Sequence, residues 1–107
     1  MRQLAFAGVV AALVFATGVP ATAAEAVVHQ KGKSFDKDSV AINKGDSVKF
    51  VNDDSVAHNV HSRSSGGAFD LGVQKPGTSS SHTFASDGTF RVRCAIHPKM
   101  KLTVTVK

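Results

Sequence analysis

A chain of 107 residues, 42% of them hydrophobic, has room for one domain with a modest core. Its single cysteine excludes an internal disulfide, and the C-x-x-C-H pattern of covalent haem attachment is absent. A formal net charge of +5 at pH 7 comes with no block of like charges and no basic-aromatic interleaving, so it describes a solvated surface and not a nucleic-acid-binding one.

In chain order, Met1-Arg2 precedes an almost wholly apolar stretch, Leu4 to Phe15, and then small residues in A-T-A (Ala21 to Ala23) and A-E-A (Ala24 to Ala26). That is the pattern of a secretory signal peptide. A membrane anchor or a buried helix is the alternative, but the stretch is shorter than the ~20 residues of a bilayer-spanning helix and no basic stop-transfer cluster follows. The expected division is a signal peptide over residues 1–24, cut between 23 and 26, and one exported domain over 25–107. The mature protein is then periplasmic and has no membrane span. A free thiol in that oxidising compartment is a liability, so Cys94 is expected to be buried, ligated or used.

The rest of the chain alternates in short segments separated by turn residues. Val40 and Ile42 alternate before the turn-like Asn43-Lys44-Gly45-Asp46, and Val48 and Phe50 share a face opposite Lys49. Phe90, Val92 and Cys94 oppose Thr89, Arg91 and Arg93; Leu102, Val104 and Val106 oppose Thr103, Thr105 and Lys107. Such one-sided apolar sets need a second sheet or a closed barrel to cover them, so an all-β sandwich or barrel is expected and a two-layer β fold is favoured. Ser62 to Ser81, rich in Ser and Gly, is expected to form loops around one short segment, Phe69 to Leu71.

Chemistry concentrates in RCAIHPKM, residues 93 to 100. Cys94 alone on an inward strand face would be ordinary core filling. His97 and Met100 change that, because both are metal-ligand types and the turn at Pro98 lets one loop bring them toward the thiol. Thiolate and thioether are soft ligands that favour copper, and imidazole suits several transition metals. One more histidine would complete a Cys-His-His set with a weak axial Met. The candidate is His58, in DDSVAHNVHS, at the start of an expected strand after a turn at Asp53-Asp54. A ligand so far upstream ties the last loop to an earlier strand.

GDSVKFVND, then AHNVH, then SHTFASDGTFRVRCAIHPKM together resemble the cupredoxins, the small blue-copper proteins. The short C-x-x-H-x-x-M loop is similar to that of the amicyanins, whereas plastocyanin and pseudoazurin carry a longer stretch between His and Met. The resemblance implies a Greek-key sandwich holding one type 1 copper ion, with His58, Cys94 and His97 as equatorial ligands and Met100 as the axial one. It implies that Asn59 steadies the ligand loops by hydrogen bonds. It also implies an apolar patch for partner docking, matched here by Val56, Ala57, Ile96 and Pro98 around His97. Lys99 stands where amicyanins carry an aromatic residue, and Ala57 and Ile96 stand where prolines are usual. A cation at that rim suits an acidic-faced partner.

The function so implied is one-electron carriage by Cu(II)/Cu(I) cycling, by a monomer that is not an enzyme, between a redox protein donor and acceptor such as a cytochrome or an oxidoreductase. Copper storage or delivery is the alternative, although no Met-rich or His-rich tail serves transfer. A multicopper oxidase needs histidines flanking its cysteine, where this chain has Arg93 and Ala95. A cysteine hydrolase needs a separate base and an open cleft, and structural zinc would leave Met100 without a role. His29, His61 and His82 are expected to be surface histidines; His61, three residues after His58, falls on the opposite strand face.

Overall fold

The computed structural model describes residues 23–107, so residues 1–22 of the expected signal peptide lie outside the described residues. Among the described residues there are nine strands and no helix: β1 Glu25–Lys31, β2 Ser34–Phe35, β3 Ser39–Ile42, β4 Ser47–Asn52, β5 His58–Ser62, β6 Phe69–Gln74, β7 Ser79–Thr83, β8 Gly88–Arg93 and β9 Lys101–Val106. They form a four-stranded sheet in the order β2-β1-β4-β7 and a five-stranded sheet in the order β3-β9-β8-β5-β6. β1 runs parallel to β4 and β3 parallel to β9, while β8 pairs antiparallel with both β5 and β9. The protein is an all-β sandwich.

The period-two sets explain the two layers. Val48 and Phe50 from one sheet meet Phe90, Val92, Leu102, Val104 and Val106 from the other, all buried, with Val28, Val60 and Phe84 filling between them. Each such side chain contributes about 1.5–3 kcal/mol when fully buried. Stability therefore resides in this apolar layer rather than at the end where the loops gather. Gln30 of β1 and Gln74 of β6 cross the layer: Gln30 Nε2 donates to Gln74 Oε1 at 2.6 Å, and Gln74 Nε2 donates to the Phe50 carbonyl at 3.1 Å.

The expected turn at Asn43 to Asp46 is present, with Gly45 at φ 95°. There the Asp46 carboxylate accepts from the amides of Ala24 (2.9 Å) and Asn43 (3.0 Å). Those two N–H groups hold its pKa below the usual carboxylate range and pin the start of β1 to the sandwich.

One expectation needs correcting. Ser62 to Ser81 is not a run of loops around a three-residue segment, because β6 extends from Phe69 to Gln74 and β7 forms from Ser79 to Thr83. β7 is an edge strand of serines, a histidine and a threonine, so it carries no apolar alternation. It exists because its backbone completes the ladder along Ser47–Val51 of β4. His82 on β7 is not a plain surface residue either: its ring stacks on Phe69 of β6, centroids 3.8 Å apart, and packs edge-on against Phe84. Burial there pushes its pKa down.

Candidate metal centre

The first ligand candidate is positioned by the turn that ends β4. Asn52 is fully buried; its Oδ1 accepts from the Asp54 amide (2.9 Å) and its Nδ2 donates to the carbonyls of Val56 and Gln74, both at 3.0 Å. This clamp places the Asp54 carboxylate 2.9 Å from His58 Nε2. The amide of Lys33, then His58 itself, hold Asp54 well below the usual carboxylate range, so it is ionised. An ionised carboxylate only accepts, hence Nε2 of His58 carries the proton and Nδ1 presents its lone pair. Sequence reasoning missed Asp54. The available signal was a carboxylate four residues before a candidate ligand.

Cys94 follows β8 directly and is 1% exposed. Two main-chain amides point at its sulfur, from Asn59 at 3.2 Å and from His97 at 3.4 Å, an arrangement suited to a metal-bound thiolate. The loop then returns His97 to the site and closes with the Met100 amide donating to the His97 carbonyl at 3.0 Å. Met100 itself is buried in the apolar core, at the foot of the loop before β9.

The three donor atoms form a small triangle. His58 Nδ1 and His97 Nδ1 are 3.0 Å apart, and Cys94 Sγ lies 3.9 Å from the first and 4.0 Å from the second. The point equidistant from all three, found as the product of the sides over four times the area, lies about 2.1 Å from each. Transition metals bond to imidazole nitrogen and thiolate sulfur at ~2.0–2.3 Å. The residues present therefore fit a single ion, and the soft sulfur with two imidazoles suits copper. His58 is fully buried, whereas His97 is half-buried and its Nε2 has no hydrogen-bond partner among the described residues.

Asn59 locks the two ligand-bearing segments together. Its Oδ1 accepts from the Ala95 amide (3.0 Å) and from His61 Nδ1 (2.8 Å), and its Nδ2 donates to Asp70 Oδ1 (2.8 Å) and to the Gly72 carbonyl (3.0 Å). Gly72 sits at φ 78°, which lets its amide reach Asp70 Oδ1 at 2.8 Å while its carbonyl turns to Asn59. The Gly72 amide, then Asn59, keep Asp70 ionised below the usual range. His61, expected as a free surface histidine, is instead a donor to Asn59. Nothing local in the sequence marks it or Asp70, since both depend on how β5 and β6 pair.

Of the docking residues named from the sequence, Val56 and Ala57 are half-buried beside His58. Ile96, Pro98 and Lys99 are exposed around His97, Ile96 at 46%. His29 pairs with Asp53 at the surface, away from the triangle.

A two-sheet sandwich that holds two histidines and a cysteine in one metal-sized triangle at its loop end is a copper-site architecture, and the chain belongs to the family of copper binding proteins, plastocyanin/azurin family, which matches residues 22–107. It is a cupredoxin, a class that carries electrons on copper. Within that class it is similar to the amicyanins: it is 32% identical to amicyanin-alpha of Methylorubrum extorquens over 120 residues, covering 100% of both chains. Among solved structures, the reduced Cu(I) form at pH 4 of an amicyanin variant is 27% identical, with a TM-score of 0.72 over 83% of this chain and 86% of that one. A purple cupredoxin from Nitrosopumilus maritimus is 26% identical, with a TM-score of 0.69 over 77% of this chain and 99% of that one.

Proposed function

We propose that this chain is an exported, periplasmic one-electron carrier, not an enzyme, holding one type 1 copper ion through His58 Nδ1, Cys94 Sγ and His97 Nδ1 with Met100 as the weak axial ligand. The observation that carries the reading is the triangle of donors, whose centre lies about 2.1 Å from each atom. When bound, copper supplies the Cu(II)/Cu(I) couple. The protein supplies a site whose shape is set by its own hydrogen bonds.

Asp54 fixes the His58 tautomer, the amides of Asn59 and His97 hold the sulfur, and Asn59 ties the Cys94 loop to β5. Ligands restrained in this way move little between oxidation states, which is what fast electron exchange needs. The half-buried His97 ring, rimmed by Ile96, Pro98 and Lys99, is the contact offered to a redox partner. Export is supported by the pattern of residues 1–24 and by the similarity to amicyanins.

The test is to add Cu(II) to the metal-free mature protein. An intense blue thiolate-to-copper band that bleaches and returns on reduction and reoxidation is expected. A colourless Cu(I) form resisting oxidation would instead mark a storage or delivery protein. N-terminal sequencing of the protein recovered from the periplasm tests export, with a start between residues 24 and 26 expected from the cleavage window.

A further inference from the structure

Among the described residues, Lys33 is the one residue other than glycine with a positive φ, at 57°. It follows Gly32, at φ 62°, and the two make the turn between β1 and β2, where Lys31 pairs with Ser34. Hairpin turns this tight take positive φ at both central residues, a conformation that glycine or asparagine adopts readily and lysine does not. The hairpin has a packing role of its own, since it lowers Phe35 of β2 edge-on against Phe50 in the core. Packing of Phe35 does not, however, require the direction in which the turn aims its main chain.

The Lys33 amide lies outside the β1–β2 ladder and donates to Asp54 Oδ2 at 2.8 Å. That oxygen also accepts from His58 Nε2, at 2.9 Å. The other oxygen, Oδ1, takes the Ser55 amide at 2.9 Å, and the Asp54 amide is held by Asn52. Asn52 thus fixes the Asp54 main chain, whereas the swing of the carboxylate toward His58 is fixed from the hairpin. The hairpin is itself fastened to this segment, by the Asp53 amide donating to the Gln30 carbonyl at 2.9 Å and by the pairing of His29 with Asp53. A strand pair that carries no ligand candidate therefore reaches the first histidine through one carboxylate oxygen.

We propose that Lys33 is a positioning residue for the metal centre: its main-chain amide, aimed by the positive-φ turn, holds the Asp54 carboxylate on His58 and so sets how firmly that histidine binds copper. The proposal rests on the copper reading above and goes beyond it in giving the β1–β2 turn a part in the site. Water reaches the Asp54 side chain, which is 12% exposed, and without the Lys33 donor it competes for the carboxylate. A carboxylate held on Nε2–H makes the imidazole a stronger donor through Nδ1. A stronger donor favours Cu(II) over Cu(I), so loss of the Lys33 contact lowers copper affinity and raises the reduction potential.

The experiment compares Lys33→Gly with Lys33→Val. Both remove the same charge, but glycine keeps the turn and β-branched valine opposes positive φ. In the metal-free ¹⁵N-labelled protein, the His58 Nε2–H signal is expected to stay protected in Lys33→Gly and to exchange about threefold faster or more in Lys33→Val. In copper competition titrations, affinity stays within about twofold of wild type for glycine and falls about threefold or more for valine. The potential rises for valine only. In an Asp54→Ala background the two variants should behave alike, since the carboxylate they act through is gone. Glycine and valine variants that match each other with Asp54 present would overturn the proposal. So would a difference that persists undiminished without Asp54, which marks a turn that matters only to folding. Lys33→Ala, with a Cβ but no branch, provides the same comparison where valine does not fold. A chain that never turns blue with Cu(II) refutes the carrier reading, while the His58 ring proton still decides the part of Lys33.

Discussion

Replacing Asn59 by alanine tests whether the ligand loops are held by this one side chain. The substitution removes four hydrogen bonds, two donated by Nδ2 to Asp70 and Gly72 and two accepted by Oδ1 from Ala95 and His61. A neutral bond contributes about 1 kcal/mol net and one to an ionised carboxylate about 2 kcal/mol, which would give about 5 kcal/mol if no partner found water. Asp70 is exposed and His61 half-buried, so both recover much of their loss by hydration. The Ala95 amide and Gly72 carbonyl face a position only 5% exposed and recover less. The expected loss is about 3 kcal/mol, which lowers the melting temperature of a domain this size by more than about 10 °C. Urea unfolding of the metal-free protein measures it. The blue band should survive in the copper-loaded variant, because the Asn59 group that reaches Cys94 Sγ is its main-chain amide. A loss below about 1 kcal/mol would show that the loops hold their positions without the side chain, and would refute the clamp.

Four other outcomes are expected. Cys94→Ser abolishes the blue colour while circular dichroism still reports the β-sandwich, since the core is built elsewhere; a serine variant that stays blue refutes the ligand set. Met100→Gln keeps a copper site but lowers its reduction potential in voltammetry, because the axial position tunes more than it holds. Asp54→Ala lowers copper affinity about 10- to 100-fold in a competition titration, as expected when a histidine ligand loses its carboxylate partner. Asp46 and Asp70 have folded pKa values below their unfolded ones, so their stabilisation is complete above about pH 4 and is lost as pH falls through the folded values. Urea midpoints measured between about pH 5 and pH 2 should therefore drop, and less steeply in Asp46→Asn.

Much of this was legible in the sequence because the relevant physics is local. Period-two alternation at Val48/Phe50, Phe90/Val92 and Leu102/Val104 requires a covered face whatever lies opposite it. Cys94, His97 and Met100 stand out as candidate ligands by type and spacing, and the fold brings the first two together with His58. β7 was not legible, because Ser79 to Thr83 is a strand only through its partner β4. The same holds for His61, Asp70 and Gly72: each matters only once β5 lies against β6 and Asn59 is brought between them.

The hydrogen bonds around the donors divide into those that fix a ligand and those that leave one available. Asn59 and the Cys94 loop hold each other reciprocally: the Asn59 amide donates to Cys94 Sγ, and the Ala95 amide donates back to Asn59 Oδ1. His58 is closed on its far side by Asp54. All of these contacts are made by the chain's own amides and side chains, from β5, the turn before it and the Cys94 loop. His97 differs: its amide is engaged with the sulfur, but its Nε2 edge is unpartnered among the described residues and lies among exposed Ile96, Pro98 and Lys99. Two ligands rigid from within and one open from without is the distribution a carrier needs. Under the proposed function, the rigid pair would keep the geometry constant through the electron cycle, and the open edge would let a partner approach without disturbing it.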